Sequence, residues 1–181
     1  MADASAEEIL SEIEELKSFF ESCRAHFPRL TDDHIGLTHI PPVPHYVLQG
    51  LEISFSFTPR LTQDDIKRNN EIAHWINQNA VVRLCAIMEH HKIATKKYKL
   101  NESIESYKEV SLLCELRNIF AHKSGRYKPT EKHEKKLVRK LMAHFRLEID
   151  NPEDFPIDIS KVIDPIFEGC KSYVRGKLRV T

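Results

Sequence analysis

The chain has 181 residues, 41% of them apolar and 30% charged, which suits a single folded domain and excludes a disordered polyelectrolyte. Its 27 basic and 27 acidic residues cancel, so any attraction to nucleic acid must come from a local patch. No apolar run approaches the roughly 18 residues of a membrane span, and MADASAEEIL lacks the basic and apolar blocks of a signal peptide; a cytoplasmic protein with no membrane partner is expected.

Acids crowd the N-terminus, with seven in residues 1–22 against Lys17 alone. Ser5-x-x-Glu8 forms a capping box ahead of Ile9, Ile13, Leu16, Phe20, Cys23 and Phe27. That spacing of three and four predicts an amphipathic helix over 6–27, stopped by Pro28. Residues 28–61 form an irregular insert, in which IPPVPHYVLQG carries three prolines and cannot be a helix interior. LEISFSF alternates Leu51, Ile53, Phe55 and Phe57 with polar residues, which predicts an extended segment or a short edge hairpin laid on helices. His34, His39 and His45 fall here too, but no Cys or carboxylate joins them at ligand spacing, and no metal site is expected.

Thr62-x-x-Asp65 caps a long helix whose Ile66, Asn69, Ala73, Ile76, Ala80, Leu84, Ile87, His91 and Ala94 recur at helical spacing. Trp75, Val82 and Met88 widen the stripe, so burial on more than one side is expected. Asn101 is read as the cap of a helix from 102 to about 122, which Gly125 and Pro129 then break. A further helix begins at Thr130, with Leu137, Leu141 and Phe145 inside. Its outer face continues a basic block, since residues 123–146 hold nine Lys and Arg against Glu131 and Glu134. After a loop marked by Asn151-Pro152 and Phe155-Pro156, Asp164-Pro165 caps the last helix. The predicted fold is an all-α up-down bundle of about five helices, one domain over 1–181, with a core at 62–181 and residues 1–60 outside it. Cys23, Cys85, Cys114 and Cys170 form no CxxC pair and read as buried reduced thiols.

The segment CELRNIFAHKSGRY, residues 114–127, departs from ordinary core helix. On a wheel of about 100° per residue, Leu112, Leu116 and Ile119 make one apolar face, and Val110, Leu113 and Phe120 a second. Arg117 sits in the middle of that second face, while Ser111, Glu115, Asn118 and His122 make a polar strip. A guanidinium among apolar neighbours costs several kcal/mol unless it is paired. Glu89, Glu115 or an external anion are the candidate partners. The structural alternative is that Arg117 snorkels or pairs while His122 caps the last carbonyls.

Arg117-Asn118-Ile119-Phe120-Ala121-His122 resembles the motif of HEPN domains, an Arg followed by a polar residue and then by a His near a helix end. With its helical context the resemblance covers most of residues 62–181. It implies a HEPN-like helical bundle acting as a metal-independent endoribonuclease, with no cofactor, in a homodimer whose two motifs line one cleft. The implied roles are general acid or base for His122, phosphate clamp for Arg117, and orientation of His122 or phosphate binding for Asn118. Lys123, Arg126 and Lys128 would hold the RNA backbone, and Tyr127 would stack on a base. Toxin-type or antiviral defence biology, with an antitoxin protein as partner, is the associated expectation. Some family members carry Tyr two residues after the His as a nucleotidylation target; here that position is Ser124. The alternative implied by the same family is a non-catalytic helical module that binds a protein, nucleotide or RNA. Five residues place Arg117 and His122 about 140° apart on an ideal helix. Sharing one cleft therefore requires an early helix end, a long reach by Arg117, or a residue from a second chain.

Overall fold

The computed structural model describes residues 5–44, 50–94, 100–122, 131–147 and 159–179. Five α-helices dominate: α1 (Ala6–His26), α2 (Gln63–His90), α3 (Tyr107–His122), α4 (Lys132–Phe145) and α5 (Asp164–Arg179). Two strands, β1 (His39–Pro44) and β2 (Glu52–Ser56), pair antiparallel within the 28–61 segment. No helix among the described residues is long and apolar enough to cross a membrane. The described residues group into two compact units, Met1–Leu16 with Asn77–Thr181, and Lys17–Ile76. The division falls inside α1 and α2.

In the Lys17–Ile76 unit, the alternating LEISFSF segment does find a partner, and the partner is the proline-rich stretch. Ile40 faces Phe55 and Val43 faces Ile53, so β1 holds one extra residue between these pairs. Pro41 and Pro42 occupy that irregularity, where their missing N–H groups cost no ladder bond. The hairpin's apolar side packs as Ile40 with Phe55 and Phe57 onto Leu30, Leu61 and Ile66. Asn70 fixes the chain entering this cluster: its Oδ1 accepts from the Leu30 N–H at 3.0 Å and its Nδ2 donates to the Leu30 carbonyl at 2.8 Å. Asn69 Nδ2 adds a bond to the Pro28 carbonyl at 2.7 Å. His34 is held by Thr31, whose N–H donates to Nδ1 at 3.1 Å, and His39 approaches Ser56. His45 lies outside the described residues.

The larger unit is built on α5. Tyr173 and Phe167 are fully buried there with Leu84 and Met88 of α2, Leu113 and Leu116 of α3, and Leu137 and Leu141 of α4. Gly169 and Gly176 allow close approach: a Cβ at Gly169 would lie 2.5 Å from Glu109 Cβ, and one at Gly176 would lie 2.7 Å from Ile104 Cγ2. Three helices begin or end elsewhere than their sequence signals suggest. α2 stops at His90 because Lys92 takes a left-handed φ of 57° and the Ile93 N–H returns to the Met88 carbonyl at 2.8 Å. Lys177 of α5 then donates to the Lys92 and Ile93 carbonyls at 3.2 and 2.9 Å, and burial pushes its ammonium pKa down. Asn101 opens a turn rather than a helix, its Oδ1 accepting from the Ser103 N–H at 3.0 Å, and α3 waits until Tyr107 because Ser106 has a φ of 64°. Asp164-Pro165 does not start from free chain, since a π-helical turn over Ile159–Ile163 runs directly into α5.

Candidate functional site

Arg117 and Glu89 are brought together across α2 and α3. Arg117 Nη2 stands 3.4 Å from Glu89 Oε2, the carboxylate lying in the last turn of α2. Its other terminal nitrogen, Nη1, donates to Asn118 Oδ1 at 3.3 Å. Thus Glu89, rather than Glu115, takes the Arg117 charge, and Glu115 accepts from Lys140 Nζ at 2.5 Å instead. The Arg117 and Glu89 side chains keep 29% and 39% of their surface exposed, so the pair is partly wet and contributes only about 0–1 kcal/mol to stability. The guanidinium also retains donors beyond those two contacts. Phosphate oxygens are the chemical match to a planar cation presented in that way.

Beneath this pair lie two thiols. Cys85 is one helical turn before Glu89 on α2, and Cys114 is one turn before Arg117 on α3; their sulfurs are 3.9 Å apart, with Cys85 donating. The hydrogen bond to Cys114 and burial push the Cys85 thiol up. That same bond pulls the Cys114 thiol down against burial and the Glu89 and Glu115 carboxylates, with Arg117 adding a smaller pull. Both contacts run in the same order along α2 and α3, the order of parallel or steeply crossed helices rather than antiparallel neighbours.

α3 is helical through His122, so an early helix end does not bring positions 117 and 122 onto one side; they stay about 140° apart. The His122 side chain lies outside the described residues, as do Lys123, Arg126, Tyr127 and Lys128. The described site is therefore Arg117, Asn118 and Glu89, with the thiols below.

The polar strip of α3 turns toward α4. Ser111 and Glu115 of that strip, with Lys108 before them, line a cleft of about 390 Å³ with Lys140 and His144. His144 Nε2 meets Glu109 Oε1 at 2.9 Å, and the Lys140–Glu115 bond crosses nearby. On the outward face of α4, Lys132, Lys135, Lys136 and Arg139 are exposed, whereas Glu134 is wholly buried. Sequence reasoning missed both the thiol contact and this bridged cleft. Neither carries a sequence signal of its own, because each depends on how two helices cross. Among the described residues no cluster of His, Cys, Asp and Glu has metal-binding geometry. Comparison with protein-family models, with curated proteins and with solved structures finds no match for this chain.

Proposed function

We propose that this chain is a HEPN-like, metal-independent endoribonuclease that cleaves RNA by attack of the 2′-hydroxyl on the adjacent phosphorus. The observation that carries the reading is Arg117, half-exposed on α3, braced by Glu89 and Asn118 and five residues before the His that ends the helix. Arg117 supplies permanent charge to the phosphorane as it gains negative charge. His122, with an unperturbed pKa of about 6.5, takes the 2′-hydroxyl proton or returns one to the 5′-oxygen of the leaving strand. The angle between positions 117 and 122 favours a homodimer in which Arg117 of one chain works beside His122 of a second copy. Glu89 is a positioning residue, holding the guanidinium through one nitrogen. The exposed bases of α4, with Lys123, Arg126 and Lys128, serve the flanking phosphates, and Tyr127 stacks on a base.

The test is cleavage of single-stranded RNA in EDTA by wild type, Arg117→Ala and His122→Ala. Wild-type cutting to 2′,3′-cyclic phosphate ends is expected, with each variant folded and down by about 100-fold or more. A metal requirement, or equal background in all three, overturns the reading. A second reading rests on the Glu89 contact, which already offsets the Arg117 charge: a non-catalytic module that binds RNA, a nucleotide or a protein. Wild-type RNA binding without cleavage, weakened by Arg117→Ala, supports that reading over the first.

A further inference from the structure

The Cys85–Cys114 pair is the feature that the nuclease reading leaves unused. A free cysteine packs as a small hydrophobe, so what sets it apart from Ala or Val at such a position is its sulfur chemistry. Here the sulfurs are in hydrogen-bonded contact at 3.9 Å, and a disulfide brings them to about 2.05 Å. The two thiols are also unequal. Cys85 keeps 1% of its surface, whereas Cys114 is only half-buried and accepts the hydrogen bond. Arg117, one turn above, favours a thiolate at either sulfur, and Glu89 opposes it. Cys170 is sealed in the core, with burial pushing its thiol up, and Cys23 belongs to the other unit.

We propose that Cys85 and Cys114 form a peroxide-oxidisable dithiol whose reversible disulfide staples α2 to α3 one turn below the Glu89–Arg117 pair. The Cys114 thiolate attacks one peroxide oxygen, the O–O bond breaks, and Cys114 becomes a sulfenic acid as hydroxide or alkoxide leaves and takes up a proton. Cys85 then attacks the Cys114 sulfur. Its proton passes to the departing hydroxyl, which leaves as water, and the S–S bond forms. Two thiols and one peroxide become one disulfide, one water and one water or alcohol. A dithiol reductant reverses the step by exchange. In a reducing compartment the pair rests as thiols, and peroxide supplies the signal. The inference does not depend on nuclease activity, because its readout is the state of the sulfurs.

The experiment treats the full chain with stoichiometric hydrogen peroxide, blocks the remaining thiols by alkylation, and maps peptides without reduction. A single intramolecular Cys85–Cys114 link is expected, lost on dithiothreitol treatment and unchanged in the Cys23→Ser/Cys170→Ser variant. In Cys85→Ala the resolving thiol is gone, so Cys114 should accumulate as a sulfenic acid that dimedone traps. In Cys114→Ser dimedone should label nothing at Cys85. Because the wild-type map alone decides the first point, a variant that fails to fold does not rescue the proposal. It is overturned by free Cys85 and Cys114 after oxidation, by a disulfide to Cys23 or Cys170, or by a link between two chains through Cys114.

Discussion

The two compact units handle apolar surface in opposite ways. Among the described residues, all the largest fully buried side chains, Tyr173, Phe167, Leu84, Met88, Leu113 and Leu141 among them, belong to the unit formed by Met1–Leu16 and Asn77–Thr181. All the exposed large hydrophobics among the described residues, Phe19, Ile35, Leu37, Leu51, Ile72 and Trp75, belong to Lys17–Ile76. A helix on a helix buries a whole stripe from each partner, whereas a two-stranded hairpin buries one side and leaves its edges and other side open. The first unit can therefore hold polar pairs such as Arg117–Glu89 and Lys171–Glu14 at fixed geometry. Its rigid core is what a site with placed donors requires.

The largest effects should come from its core. Leu113→Ala removes a side chain with no exposure and should cost about 3–5 kcal/mol in urea unfolding. Leu61→Ala, in the small cluster under the hairpin, should stay near 2 kcal/mol because fewer neighbours surround the cavity. Equal costs would break the contrast between the units. Next in size is Gly169→Ala, whose new Cβ would meet Glu109 Cβ at 2.5 Å and force α3 and α5 apart. Helix propensity returns about 1 kcal/mol, leaving a net loss of roughly 1–2 kcal/mol. In the other unit Trp75→Ser should move stability by no more than about 0.5 kcal/mol, since the ring is 64% exposed. A loss of 2 kcal/mol or more, of the order given by a buried aromatic, would mean that Trp75 is covered in solution.

Much of the secondary structure was legible in the sequence, and the limits have physical causes. The 3–4 spacing located α1, α2, α4 and α5 to within a few residues, because a helix displays its burial as a period. α3 starts five residues later than its sequence signals indicate: Asn101 bonds its own loop equally well as a turn, and a left-handed serine leaves no signal in composition. The hairpin was half-legible. β2 alternates, but β1 is IPPVP, whose pairing depends on a bulge that prolines tolerate and do not advertise. At the site, Glu89 could be named among the candidate partners for Arg117 because a cation on an apolar face needs one. The angle between positions 117 and 122 was equally plain from helix geometry. The Cys85–Cys114 contact was not, since it depends on how α2 crosses α3, and local periodicity carries no crossing angle.

The smallest predicted effect compares two copies of one device. Each unit starts a helix with a side chain and backbone bonded reciprocally: Ser5 with Glu8 in the first, Thr62 with Asp65 in the second. In the second box Asp65 Oδ2 accepts from the Thr62 hydroxyl at 2.7 Å and from the Thr62 N–H at 3.0 Å. Those two bonds, the hydroxyl first, hold the Asp65 carboxyl below its usual value, with a small aid from Arg68. A carboxyl depressed by folding stabilises the native state at pH above its unfolded value, about 3.9, and loses that contribution as pH falls through the folded value. Asp65→Asn keeps an acceptor and discards the charge, so it should be slightly less stable than wild type at neutral pH. The gap should be constant above pH of about 5 and shrink steadily below about 4. A gap that persists unchanged into strong acid would assign the effect to shape rather than charge. The hairpin unit would then owe nothing to this carboxylate's ionisation, and its hold on α2 would rest on Asn69, Asn70 and the Leu30–Ile66 cluster.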